Sequence, residues 1–284
     1  MFACQEVFMG IGIDHLVIGV PSLEAAITAW RAAGFHVIEG GVHAGGLTHN
    51  ALVVLEDGSY LELLAPTNAV RWQALRAAAR VGLLDGALSG FSPIQKRMVR
   101  YALGPYGLVD FAVNVEDAAA EAEAAEARGV LMTPAIEGAR ARPDGREVRW
   151  ITATPQDADL PFFIQDLTPR EWRVPVEGAA HPNQAYSIRK LVVLARRPAE
   201  TAAHYEMLLD VSPVRFDEHG ILFALGAARV EVREPISDEE RNALGNRAAR
   251  PWALELRTHD THMAGTVEFP PELHVPLTLV PDAL

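Results

Sequence analysis

The chain of 284 residues predicts an α+β fold made of repeated βαβββ modules. Three observations carry this. Apolar, β-branched runs open a segment and pass at once into a stretch of helical spacing. Short strands follow and are closed by a proline. The whole order then returns at roughly fifty-residue spacing.

In the first module, residues 13–20 read as a buried strand ended by Pro21-Ser22. Ser22 suits a helix N-cap, Glu24 the first turn, and Gly34 the stop after Leu23, Ala26, Ile27 and Trp30. A short strand at 37–39 leads to the loop GGVHAGGLTHN at 40–50. Strands at 51–55 and 60–64 flank a tight Asp57-Gly58 turn, and Pro66 closes the unit. The second module places a strand at 108–115 and a helix capped by Asp117 and stopped by Gly129. An extended piece at 130–132, a turn at Pro143-Asp144-Gly145, and strands at 147–152 and 161–167 follow, ended by Pro169. The third has a strand at 188–195, a helix from Pro198 to Leu209, and strands near Phe216, at 221–225 and at 229–233. A last copy, from Trp252 to Pro281, offers the strands WALELR and VPLTLV but no evident helix. Outside the repeats, residues 67–105 are mostly helical in pattern and serve either as packing or as a lid. Residues 170–185 look like a boundary.

Apolar content of 49% with 22% charged residues is a globular composition. The formal charge of −12 argues against nucleic acid and against anionic membrane surfaces, which need basic footprints. A neutral or cationic small ligand remains. No apolar run reaches the roughly 18 residues of a membrane span, and the first residues do not read as a signal peptide, so a cytoplasmic protein is expected. The single cysteine, Cys4, reads as an incidental thiol. GxGxxG, GKS/T, GxSxG and CxxC signatures are absent.

Several polar residues stand in segments built for a core. His15 opens an apolar strand, where a histidine either bonds a backbone carbonyl or ligates something. Glu62 lies between Leu61 and Leu63 and faces away from both, toward water or toward a compensating partner in a cleft. His43, His49 and Asn50, in or beside the glycine-rich loop, are surface residues or substrate contacts. Arg140, Arg142 and Arg149 either pair with an anionic substrate or lie on solvated strand faces. His259, His262 and His274 read as surface residues.

IDHLVIGVPSLEAA, GGVHAGGLTHN, DGSYLELLAP, the RPDG…W…PFFIQ run at 142–165 and HPN at 181–183, in this order and spacing, resemble the vicinal oxygen chelate superfamily. Within it the chain is similar to the glyoxalase-like domain proteins, the group of glyoxalases, bleomycin-resistance proteins and extradiol dioxygenases. The resemblance covers nearly the whole chain. It implies modules paired into curled mixed sheets around a cleft. Residues 11–169 would form the main cleft, with a helical insertion at 67–105, and residues 186–282 a second, degenerate pair.

The resemblance also implies a divalent metal ion (Fe, Mn, Ni or Zn) held from the first and fourth strands, with substrate oxygens on the same ion. Carried over by position, His15 and Glu62 are ligands in the first module. Asp110 and Gln165 take those places in the second, the latter matched by counting back from Pro169 and Pro66. Lys190 and Glu231 stand there in the third, and Leu277 replaces the glutamate in the fourth. His181 lies just after the second module, and with Glu62 it is the expected proton carrier. His43, His49 and Asn50 are the expected substrate contacts. The expectation is a metal-dependent lyase, isomerase or dioxygenase acting on a small molecule with vicinal oxygens. The alternative is a non-catalytic drug-binding protein of the bleomycin-resistance type. A third reading makes the C-terminal pair a module that joins two copies into a homodimer.

Overall fold

A computed structural model describes residues 11–43, 46–67, 69–142, 145–273 and 275–282. Cys4, His274 and the Pro143-Asp144 part of the expected turn lie outside them.

The first sheet takes β1 (Gly12–Gly19), β2 (Ile38–Val42), β3 (Thr48–Val54), β4 (Tyr60–Pro66), β5 (Gly107–Asn114), β6 (Ile136–Ala141), β7 (Glu147–Ala153) and β8 (Phe162–Asp166). Their order is β2-β3-β4-β1-β5-β8-β7-β6. β1 runs parallel to β4 and antiparallel to β5, and β5 runs parallel to β8, so two modules meet at the β1–β5 seam. The second sheet repeats this with β9 (Ala185–Ala195), β10 (Arg215–Asp217), β11 (Gly220–Leu225), β12 (Ala228–Arg233), β13 (Ala249–Thr258), β14 (Gly265–Val267) and β15 (Leu277–Pro281). Both sheets are mixed and curled.

Helices α1 (Leu23–Ala32), α5 (Ala118–Ala127) and α7 (Pro198–Leu209) each follow the first strand of a module. The Ser22 hydroxyl caps α1 by accepting from Ala25 N–H, and the Asp117 carboxylate accepts from Ala119 and Ala120 to start α5. Gly34, at φ 83, ends α1 in the left-handed region. β5 and α5 begin 95 residues after β1 and α1 (107 against 12, 118 against 23) and match them in length. The repeat is therefore in register through its first two elements.

Alternation along β1 sends Leu16 and Ile18 to the helix-bearing face, with Leu61, Leu63, Phe111 and Val113 from its neighbours. Leu191, Val193, Phe223 and Val230 do the same in the second sheet, and both sets join one core that includes Trp30 and Tyr205. The opposite faces are left to the clefts.

The segment at 67–105 forms α2 (Ala69–Arg80), α3 (Leu84–Ala87) and α4 (Pro93–Leu103). Ser92 and Gln95 close a capping box on α4. Three features differ from the sequence expectation. The second strand of module two is β6, not residues 130–132, where Met132 makes only a bridge to Pro155. α8 (Asp238–Leu244), capped by Ser237, follows the third module. The apparent boundary at 170–185 begins with one helical turn, α6 (Arg170–Arg173).

Candidate active site

The concave face of the first sheet carries a cavity of about 60 Å³. His15 on β1 pairs in register with Tyr60 on β4, and Val17 with Glu62. The period of two therefore sends His15, Tyr60 and Glu62 to this same face. The His15 ring stacks on Tyr60 at 4.6 Å between centroids.

Asp14, completely buried, accepts the His15 Nδ1 proton at 2.7 Å. It also receives Arg173 Nη1 and Nη2, both at 2.9 Å, and Arg170 Nη1 at 2.5 Å. Burial pushes the Asp14 carboxyl upward, but Arg173 and Arg170 outweigh that and hold it well below the ordinary carboxylate range. An ionised Asp14 can only accept, so Nδ1 of His15 carries the proton and Nε2 faces the cleft. This is the carboxylate–histidine arrangement that orients an imidazole for a proton or a cation.

Glu62 sits opposite. Its Oε2 lies 3.7 Å from His15 Nε2, and its Oε1 lies 3.4 Å from His43 Nε2. Asn50 Nδ2 donates to Oε1 at 2.6 Å, while Asn50 Oδ1 accepts from Gly41 N–H at 3.0 Å. Gly40 makes room for this, because a Cβ there would lie 2.0 Å from Asn50 Oδ1. Burial raises the Glu62 pKa, but His43, His15 and the Asn50 amide reverse the shift and bring it to about 2. His43 Nδ1 is in turn 2.9 Å from Thr48 Oγ1.

The structure thus brings together five of the residues singled out in the sequence: His15, Glu62, His43, Asn50 and Arg140. The others fall elsewhere. Asp110 stands where His15 stands, shifted by the 95-residue repeat, but it is tied off. It accepts from Arg97 Nε at 3.0 Å and from Arg97 Nη2 and the Tyr101 hydroxyl, all supplied by α4. Gln165 is on the convex face, where its Oε1 accepts from Ala118 N–H at 3.1 Å and caps α5. Phe162 holds the place of Glu62, since it pairs with Ala112 as Glu62 pairs with Val17. His49 alternates with Asn50 and does not line the cavity. Burial and the neighbouring His43 lower its pKa. His181 is a peg between segments: its Nδ1 accepts from His36 N–H at 2.9 Å and its Nε2 donates to Val54 O at 2.8 Å. It does not line the cleft, and both its nitrogens are engaged, so the expected proton-carrying role does not fit its place.

In the second sheet Lys190 and Glu231 do occupy the corresponding positions, 3.2 Å apart, with Glu255 2.7 Å from Lys190. Thr278, not Leu277, is the register equivalent in the fourth unit. Arg149 pairs with Glu137 on an exposed face. His259 stacks on Tyr186 at the surface.

Sequence reasoning missed Asp14, Tyr60, Arg170 and Arg173. A signal existed: Asp14 adjoins His15, and REWR places two arginines one helical turn apart in an apparent linker.

Do these residues fit a divalent cation? Donors 2.0–2.2 Å from one ion, at angles of 90–120°, stand about 3–3.7 Å apart. His15 Nε2 and Glu62 Oε2 meet that spacing at its upper end. His43 approaches the other carboxylate oxygen, so among the described residues no three His, Cys, Asp or Glu side chains gather as a metal-holding group. The fit is that of one imidazole and one carboxylate, with His43 beside them.

A family model described as a glyoxalase-like domain matches residues 13–209. No curated protein matches the chain. Among solved structures, a hypothetical protein from Staphylococcus aureus aligns with TM-score 0.71 at 14% identity, over 95% of this chain and 99% of that one. A mutant of 4-hydroxymandelate synthase from Streptomyces coelicolor aligns with TM-score 0.58 at 10% identity, over 92% of this chain and 77% of that one. At those identities the likeness shows the fold alone.

Proposed function

The chain belongs to the glyoxalase-like domain family, within the vicinal oxygen chelate superfamily, and from that membership we propose that the first cleft is an enzyme active site. In it His15 and Glu62 hold a divalent cation for a small substrate with two adjacent oxygens. One observation carries the reading. His15 Nε2, left free by the Asp14 bond, faces Glu62 Oε2 at 3.7 Å, too far for a hydrogen bond and suited to two donors on one ion.

When bound, such an ion supplies Lewis-acid polarisation of the substrate oxygens. The chain's own groups do the rest. Asn50 fixes the Glu62 carboxylate by donating to Oε1. His43, held at Nδ1 by Thr48, presents Nε2 at the edge of the cavity, where it can take or return a substrate proton. Phe162, Ile94 and Met98 line the cavity with apolar surface that excludes water.

The test is metal content of tag-free protein by plasma mass spectrometry, beside His15→Ala and Glu62→Ala. Near-stoichiometric metal, lost in both variants, supports the reading. Absence of metal in the wild type after incubation with Fe²⁺, Mn²⁺, Ni²⁺ and Zn²⁺ sinks it. A second reading, a metal-free binding protein, is favoured by the second half of the cleft, where Asp110 is neutralised by Arg97 and Phe162 replaces a ligand. It predicts ligand binding unaffected by chelators.

A further inference from the structure

Of the cleft's arginines, Arg140 stands apart. Arg173 is committed to Asp14, Asp166 and the Tyr60 hydroxyl. Arg140, on β6, lines the cavity and donates through Nη2 to the Arg173 carbonyl at 3.1 Å. Among the described residues no carboxylate lies within 4.0 Å of it. Burial holds its pKa below the ordinary guanidinium range, a shift that Tyr60 and Glu62 only partly oppose. A half-buried guanidinium satisfied by one carbonyl retains donors for a planar anion.

Beside it is a flat apolar wall. Trp150 lines the same cavity, as do Phe162 and Ile164. Trp150 faces Gly138 across the β6–β7 pair, and a Cβ on Gly138 would meet the indole at 2.6 Å. The glycine therefore lets the ring lie against the strand that carries Arg140.

We infer that Arg140 anchors the carboxylate of a small substrate whose apolar body lies along Trp150 and Phe162, so that this cleft selects monoanionic, apolar-bodied acids. The inference deepens the active-site reading and rests on it for the identity of the cleft. It does not depend on the cation. A bidentate guanidinium–carboxylate pair would hold the acid in the same cavity that His15 and Glu62 line.

Phenylacetate and its neutral isostere phenylacetamide are suitable probes, titrated calorimetrically into full-length, chelator-treated protein so that no metal can bind the carboxylate. The wild type is expected to bind the acid at least tenfold more tightly than the amide. Arg140→Gln should lose that preference without changing the weak affinity for the amide, and Arg140→Lys should recover part of it. Circular dichroism and metal content of Arg140→Gln, both expected to be unchanged, separate anchoring from folding. Equal affinity for acid and amide, no detectable binding of the acid, or full acid affinity in Arg140→Gln would overturn the inference. Metal retained without acid selection defeats the anchor alone. Arg140-dependent acid selection without metal defeats the cation alone.

Discussion

The Asp110–Arg97–Tyr101 group gives the most direct test of how the insertion relates to the cleft. Asp110 and Arg97 are both buried, at 4% exposure each, and Arg97 also donates through Nη2 to the Leu160 carbonyl at 2.6 Å. Burial favours a neutral Tyr101 and raises its pKa, whereas Asp110 and Tyr101 together raise that of Arg97 against its burial. Asp110→Ala leaves a buried guanidinium without its anion, which costs about 3–5 kcal/mol. For a chain of this size that corresponds to a fall in Tm on the order of 10 °C. Replacing the whole group, as Arg97→Met with Tyr101→Phe and Asp110→Leu, removes the stranded charge and should recover most of the loss. Thermal melts give the stability, and limited trypsin digestion reports whether residues 67–105 loosen. Metal content should not change in either protein. If Asp110→Ala cost under about 1 kcal/mol, or the triple replacement were no better than the single one, Asp110 would not be the tie that docks α4.

Glu62 predicts a pH dependence. Its folded pKa of about 2 lies below the ordinary glutamate value of 4.5. The resulting contribution, on the order of 3 kcal/mol, is present above pH 4.5 and lost as pH falls toward 2. Denaturant titrations of Glu62→Gln should therefore show an acid limb shallower by about one proton, and an unchanged limb would refute the assignment. Gly40→Ala forces Asn50 away from Glu62. It should cost about 1–3 kcal/mol and raise the Glu62 pKa, as followed by carboxyl NMR. His181 is kept neutral, with its pKa lowered by burial. Its contribution is complete above the unfolded value near 6.5 and disappears as pH falls through the folded one. His181→Phe should destabilise at pH 8 by about 1–3 kcal/mol, with a smaller gap at pH 5. An equal gap at both pH values would argue against a neutral peg.

Local signals served the repeated units well. The caps at Ser22 and Asp117 follow from side chains that bond their own backbone, and the helix from Pro198 to Leu209 from a proline at its first position, so a single sequence reveals them. His15 and Glu62 were legible because each is a polar residue in an apolar strand and both match the family pattern by position, and the β1–β4 register then turns them to one face. The second half of the site was not, because it depends on register. Counting back from the closing prolines matched Gln165 to Glu62. But Pro66 is the last residue of β4, whereas Pro169 lies beyond the end of β8 and precedes α6. The correct partner, Phe162, is three residues earlier, and an odd shift reverses the face. The Leu277 assignment failed by a single residue, because Thr278, not Leu277, pairs with Glu255. Asp14 reads as an ordinary polar neighbour until Arg170 and Arg173 arrive from another element.

Those two arginines also set a schedule. Asp14 reaches Arg173 across 159 residues of chain. At about 5–20 residues per second, a ribosome needs roughly 8–30 seconds to add that length. Until then β1 carries a carboxylate with no guanidinium to hold it ionised within a core, and His15 has no fixed tautomer. A fragment ending at residue 169 would include every strand of the first sheet yet lack both cations. Cutting such a fragment for study would yield the sheet while leaving its histidine unaimed.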